Sequence, residues 1–290
     1  MLKKYSILIL FFTFMLSVNA QKIDSLTYDT LKDAEIRLGG LAHHMVTSLD
    51  EITRINSGRN FIKMLSRTLK INNSYFYKFD SLKNVSIVYA PDNYFRIITW
   101  NVASDDEHFR NFGVIQMNPT KIKREVKLFN MRNFFPLIDR SDSLENPFYT
   151  ETDADHWYGA IYYKIVKTQS QKGKFYTLLG WDGNTIKSNK KIAEVLFFRD
   201  NEPFFGAPIF DIKSKQKLNR MIWEFNNQAT MTLRYEEKRK LLIYENIIPP
   251  KADNVGMYDT YVPDGSYDFM VWNGLAWEKQ NGIVTDFKMK

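Results

Sequence analysis

Residues 157–211 constrain the fold most, because they divide into four aromatic-rich apolar runs separated by turn-forming residues. Short runs of this kind, with Val, Ile, Tyr, Phe and Trp bounded by Gly, Asp and Asn, build strands rather than helices. The first two, 157–167 and 174–181, flank Ser170-Gln171-Lys172-Gly173, a polar loop with glycine where a positive φ is wanted. Asp182-Gly183-Asn184 then marks a turn, since an Asp side chain bonds nearby backbone and glycine tolerates left-handed φ. The third run, 191–199, ends at Asp200-Asn201-Glu202-Pro203. Pro203 has no amide proton for a ladder, so the fourth strand is expected at or after it. One four-stranded antiparallel meander results.

The chain before this unit changes period once. From Thr30 to about residue 55, Leu31, Ala34, Leu38, Leu41, Met45, Leu49 and Ile52 recur at three and four residues and so share a helical face. Asp29 or Thr30 is the expected cap, and Gly39-Gly40 weakens the middle. A second helix is expected over 58–69, capped by Asn56 or Ser57, with Phe61, Ile62, Leu65 and Leu69 facing inward. Twofold alternation begins at Tyr75, with strands expected near 75–79, 85–90, 94–101, 109–118 and 123–129. A polar, Asp-rich connection over 139–155 has no period and reads as a loop or linker. After the central unit, 219–225, 229–236 and 239–244 read as a further meander, and 266–272, 275–279 and 283–288 close the chain.

Ala90-Pro91-Asp92-Asn93 followed by Trp100-Asn101 matches Val262-Pro263-Asp264-Gly265 followed by Trp272-Asn273 at the same spacing. Both copies read as a turn leading into a strand that ends at a Trp-Asn corner. A repeated strand-turn unit favours a propeller-like arrangement of meanders. Its four blades would be 85–129, 157–211, 219–262 and 266–288, the last completed by 75–79. A β-sandwich or a large barrel would carry the same alternation. The fold class is therefore mainly β, antiparallel, with an N-terminal helical segment over 21–72 and a β domain over 73–290.

Residues 1–20 have the form of a signal peptide. Lys3-Lys4 precede an apolar run over 7–16, and Val18-Asn19-Ala20 offers small residues for cleavage before Gln21. The run is too short to stay as a membrane span, which needs about 20 apolar residues. No later stretch is long and apolar enough to span as a helix. An exported chain with no cysteine has no disulfide framework, so the fold must rest on buried area, and 44% hydrophobic with 15% aromatic residues can supply it. The formal charge of +7 is mild and spread over turns, as at Lys121, Lys123, Arg124, Lys187, Lys190, Lys191, Lys238, Arg239 and Lys240. Charged hairpin ends that keep strands soluble account for it, and nucleic acid is not an expected partner.

The segments PDNYFRIITWN, FGVIQM, WYGAIYYKIV, YTLLGWDGN, KKIAEVLFF, FFGAPIF, MTLRYEEKRKLLIYENIIPP and VPDGSYDFMVW, laid end to end, resemble an uncharacterised family of exported Bacteroidota proteins. The resemblance covers roughly residues 75–275. It implies export, to the periplasm, the outer membrane or beyond the cell, and a shared fold. It brings no catalytic assignment.

The chain holds no Gly-x-Ser-x-Gly, P-loop, His-Glu-x-x-His or Gly-x-Gly-x-x-Gly pattern. His43 and His44, adjacent on a helix, point about 100° apart and do not share a metal. Asp105-Asp106-Glu107-His108 reads first as a solvated hairpin tip. Asp153-Ala154-Asp155-His156 is the better acidic cluster, because alternate acids in an extended segment share a face while His156 points the other way. Calcium or acid-base work is conceivable there. Most tryptophans read as core, whereas Trp181 abuts a turn and could offer a platform to a sugar, with Asp182 and Asn184 bonding its hydroxyls. The candidate ligand-binding residues are therefore Trp181, Asp182, Asn184, Asp153, Asp155 and His156. No resident metal or cofactor is expected. The leading expectation is a non-enzymatic binding or structural component of the cell envelope, with an envelope protein or a glycan as partner. The alternative is a glycan or cell-wall hydrolase whose paired carboxylates come from different strands and leave no linear motif.

Overall fold

A computed structural model describes residues 23–122, 133–171 and 173–280. The expected signal peptide and the strands expected at 123–129 and 283–288 lie outside the described residues.

Two helices come first, α1 (Ser25–Thr47) and α2 (Glu51–Leu69). Each starts at an aspartate in extended conformation, Asp24 accepting from the Thr27 amide at 2.9 Å and Asp50 from the Thr53 amide at 2.7 Å. These caps satisfy amides that have no partner inside the first turn. The sequence expectation of one helix reaching residue 55 is corrected here. Asp50 starts a second helix, while Leu49 and Ile52 are 97% and 69% exposed and do not belong to the buried face. The expected caps Asp29, Thr30, Asn56 and Ser57 all lie inside helices, and Gly39-Gly40 does not interrupt α1.

Three sheets follow. The first is a meander, β1 (Ser86–Tyr89), β2 (Phe95–Ala103), β3 (Phe109–Met117) and β4 (Phe134–Ile138), paired antiparallel in chain order. The second contains β5 (Thr152–Asp153), β6 (Ile161–Ser170), β7 (Gly173–Asp182), β8 (Ser188–Arg199) and β9 (Glu202–Phe205). Its order is β5-β9-β8-β7-β6. After β10 (Phe210–Asp211), strand β11 (Arg220–Asn226) joins this second sheet by pairing with the first part of β8. The third sheet runs β10-β15-β14-β13-β12, from β12 (Leu233–Glu236), β13 (Leu241–Ile248), β14 (Val262–Trp272) and β15 (Trp277–Gln280). Only β10 and β15 run parallel among these pairs.

Side-chain parity shows how the sheets stack. On β2, Phe95 and Ile97 join one core with β7 and β8, while Ile98, Trp100 and Val102 join another with the helices. On β8, Ile192 and Leu196 face the first sheet, whereas Ala193 and Val195 face the third. Successive residues of a strand point to opposite faces, so the order of layers is helices, first sheet, second sheet, third sheet. The second sheet is covered on both faces. That explains why its strands read as continuous apolar runs rather than a clean alternation. Fully burying one such Leu, Ile or Phe contributes about 1.5–3 kcal/mol, and this burial stands in for the missing disulfides.

Polar braces tie the layers. Glu194 on β8 and Arg220 on β11 form an ion pair with both side chains fully buried. Tyr162 donates to Glu194 and itself accepts from Trp157 Nε1 at 2.8 Å. Arg220 also donates to the Pro147 carbonyl and lies over the Tyr158 ring, 5.0 Å from its centroid. Trp277 Nε1 of the third sheet donates to Thr177 Oγ1 of the second at 2.8 Å. Buried Arg96 is held by Gln116, Tyr89 and the carbonyls of Tyr77 and Ser74, among the rings of Tyr75, Phe79 and Tyr89.

The mainly β, antiparallel class with a helical N-terminal segment is what the sequence leads one to expect. Details differ. The meanders form three stacked sheets rather than four blades, and among the described residues no sheet closes into a barrel. Residues 75–79 make no strand; Ser74–Phe76 is a single 3-10 turn. Strand β4 is not expected from the sequence; its Pro136 sits on the open edge of the sheet, where the missing amide costs no ladder bond. Strand β11 leaves the expected 219–244 meander for the second sheet. The second Pro-Asp copy does not turn: Val262 and Pro263 pair with Ile248 and Ile247 beyond a register shift, and Gly265 takes φ +80° inside β14. In the first copy β2 runs on past Trp100-Asn101 to Ala103.

Candidate functional site

The helix pair covers β2 better than β3 and β4, and the uncovered part of the first sheet forms a groove. Its volume is about 460 Å³. Ile62 and Leu65 of α2 form part of one wall, and Trp100, Phe112, Phe134 and Ile138 are among the apolar residues that line the sheet side. Ile62 and Ile138 are 40% and 42% exposed, so apolar surface is left open to solvent. The groove continues along α2 into a hollow of about 340 Å³ that shares Ile62, Arg110 and Phe112 and is flanked by Arg59.

Three guanidiniums rim this surface. Arg59 comes from α2, Arg110 from β3 and Arg140 from the segment after β4. Among the described residues none of the three has a side-chain hydrogen bond or ion pair. The acids nearby hydrogen-bond to backbone amides and a hydroxyl and, among the described residues, form no ion pair with these three arginines. Glu51 accepts from the Asp105 amide at 3.1 Å and Asp106 from the His108 amide at 3.3 Å. Asp139 spends Oδ1 on the Ser141 amide and hydroxyl, at 3.0 and 2.7 Å, and Oδ2 on the Asn111 amide at 3.0 Å.

Asp139 is packed tightly. Burial pushes its carboxyl up from the ordinary 3.8, against the opposing pull of Ser141 and Asn111. Gly159, at φ +80°, lies so close that a Cβ there would fall 2.4 Å from the carboxyl, so only glycine fits. Asn111 bridges inward, donating Nδ2 to Asp182 Oδ1 at 2.9 Å. Among the described residues its own Oδ1 is buried without a partner, as is Trp100 Nε1.

Asp182 is thus an interior residue, 3% exposed. Burial also raises its carboxyl above 3.8, although Asn111, the Asn184 amide and Lys190 favour ionisation. Asn184 takes the positive φ of the turn, +47°, and donates to Ser188 Oγ at 2.7 Å and Glu224 Oε1 at 3.1 Å. Gly183 is needed for a different reason, since a Cβ there would meet the Phe109 ring at 2.7 Å. Trp181 is half-buried, edge-on to the same ring. These three candidates brace a turn between the first two sheets, and Asp182 presents no carboxyl to solvent.

The second candidate cluster has another geometry than expected. Residues Ala154–His156 form a 3-10 turn rather than an extended run. Asp153 Oδ1 accepts from the Asp155 and His156 amides, both at 3.0 Å, and His156 folds back to place Nδ1 2.8 Å from it. His156 therefore turns toward Asp153, not away, and Asp155 is exposed. The turn leads into Trp157, whose backbone bonds Ile138 and Arg140 at the end of the groove, at 3.0 and 2.8 Å. At the hairpin tip, Asp105 pairs with Arg54, which also binds the Ser48 and Leu49 carbonyls beyond α1. Among the described residues no group of three His, Cys, Asp or Glu could hold a metal.

Sequence reasoning missed Arg59, Arg110, Arg140 and Asp139. They lie on different elements and converge only through packing, so no local pattern marks them. No protein-family model matches the chain, and no curated protein matches it. Among the described residues no helix is long and apolar enough to cross a membrane.

Proposed function

We propose that this is an exported cell-envelope protein that acts by binding, and that the groove between α2 and β3–β4 takes an amphipathic anion. The single observation behind this reading is the set of three guanidiniums, unpaired among the described residues, on the rim of an apolar groove. An alkyl or aromatic body would cover Ile62, Phe112 and Ile138, and an acidic head would meet Arg110 or Arg140. Sites of this kind combine an apolar lining with a few placed polar groups, and guanidinium suits a planar carboxylate. The leader-like residues 1–20 and the resemblance to exported Bacteroidota proteins support the envelope setting.

Isothermal titration with laurate and with dodecylamine tests the reading. Laurate should bind and the amine should not, and Arg110→Glu with Arg140→Glu should weaken laurate binding at least about tenfold, or about 1.4 kcal/mol. Equal binding of acid and amine, or none of either, would refute it. The hydrolase alternative rests on Asp139, a carboxyl raised by burial at the edge of the groove, and needs a second carboxyl beside it other than Asp182, which is shut off from solvent. Turnover of glycan or cell-wall material that is lost in Asp139→Asn would replace the binding reading with that one.

A further inference from the structure

A second hollow, of about 480 Å³, opens where the first and second sheets meet, on residues the groove does not use. Asp92 and Tyr94 reach it from the turn between β1 and β2, and Lys121 from the segment after β3. Lys167 and Lys174 come from the β6–β7 hairpin, and Phe198 from β8. One carboxylate therefore serves several cations. Lys167 Nζ lies 3.2 Å and Lys174 Nζ 3.8 Å from Asp92 Oδ2, which also accepts from the Tyr176 hydroxyl at 3.0 Å. Lys121 has no side-chain partner among the described residues. Three ammonium groups against one carboxylate leave two positive charges in excess.

Aromatic surface adjoins these charges. Tyr94 packs edge-on against Phe198 with ring centroids 5.4 Å apart, and Lys174 Nζ lies 5.9 Å from the Tyr94 centroid. The turn is fixed from behind, because Asn118 Nδ2 donates to the Asn93 carbonyl at 2.8 Å and Tyr75 donates to Asn93 Oδ1 at 2.8 Å. The hollow is thus a charged, partly aromatic recess between two packed layers, with the few placed polar groups on an apolar wall that small-molecule sites use.

We infer that this hollow binds a phosphorylated sugar, with the phosphate on Lys121, Lys167 and Lys174 and the sugar ring against Tyr94 and Phe198. The charge count selects the head group. A phosphate monoester carries about −1.5 to −2 at neutral pH, which matches the excess left after Asp92. Lysine ammoniums act as point charges and are established phosphate binders, so three of them on flexible stems can gather round one phosphate. The ring is selected by the aromatic pair, since a bare anion gains nothing from Tyr94 and Phe198.

The test is titration of the full chain with glucose 6-phosphate, inorganic phosphate and glucose, followed by calorimetry. Glucose 6-phosphate should bind with a Kd at or below about 1 mM, more tightly than inorganic phosphate, and glucose should not bind. Lys121→Glu, a change at an exposed side chain, should lower the affinity at least about tenfold with an unchanged melting temperature. Asp92→Asn should raise it, because the competing carboxylate charge is gone. Failure of glucose 6-phosphate to bind, or binding that ignores Lys121→Glu, would overturn the site. Inorganic phosphate binding as tightly as the sugar phosphate would overturn the assignment of the ring. None of these outcomes depends on the groove or on laurate.

Discussion

Replacing Arg220 or Glu194 with methionine, singly and together, probes how the second sheet is held. Both side chains are fully shielded from water, and they belong to neighbouring strands of a sheet covered on each face. Removing one partner leaves an uncompensated charge in that interior. Arg220 would keep the Pro147 carbonyl and the Tyr158 ring, and Glu194 would keep the Tyr162 hydroxyl. These neutral contacts do not replace a counter-charge, so each single change should cost about 3–5 kcal/mol. Domains are commonly stable by about 5–15 kcal/mol, so either variant loses a large share of its stability. The double variant removes both desolvation costs together and should recover most of the loss, ending near or above the parent. Urea unfolding followed by tryptophan fluorescence reads this directly, because Trp157 sits on the same chain of hydrogen bonds through Tyr162. Single changes costing under about 1 kcal/mol, or a double variant as weak as the sum of both, would refute the argument that the pair is desolvated.

Gly159→Ala should destabilise by on the order of 3 kcal/mol, from strain at φ +80° and the clash with Asp139, and a melting curve checks it. Trp277→Phe should cost about 1–3 kcal/mol by leaving the buried Thr177 hydroxyl without its partner, which the same urea assay measures. Burial holds Asp139 and Asp182 above 3.8, so the fold favours their protonated forms. Their contribution to stability is complete below 3.8 and is lost as pH rises through the raised values. Asp182→Asn should therefore flatten the pH dependence of unfolding above 3.8. Asp92 behaves in the opposite sense: burial opposes its ionisation, but hydrogen bonds from Lys167 and Tyr176 and the charges of Lys167 and Lys174 outweigh it and hold it below 3.8. Its contribution is present above 3.8 and fades as pH falls through the lowered value, a slope that Asp92→Asn should remove.

Much of the fold was legible where local chemistry decides it. The hairpin at Gly173 and the strands around it follow from alternation and turn residues, and β7 falls within a residue or two of its expected bounds. What failed was decided by tertiary partners. The first helix ends at Thr47 and Asp50 caps the start of the second, a break that the three- and four-residue spacing does not reveal. Pro263-Asp264-Gly265 looks like the turn at Pro91-Asp92-Asn93, yet a bulge against β13 absorbs it. Among site residues, Trp181, Asp182 and Asn184 were found as a turn, and the turn is there. Their role as a sugar platform presumed exposure, whereas the layer beneath β3 buries Asp182. The groove was illegible because its three arginines come from sequence positions 59, 110 and 140 and share nothing but a surface.

The doubly covered second sheet also bears on how the polypeptide is made. Residues 161–199 leave the ribosome well before residue 277, whose indole reaches back across the layers to Thr177. Until then one side of the nascent sheet, with Phe175, Leu179, Ala193 and Val195, is covered only in part, by the residues from Ala207 to Tyr244 that precede Met270 and Trp277. A growing chain that paired these strands early would show a sticky face to its neighbours. Pairing that waits until residue 277 has emerged would keep this face from its neighbours.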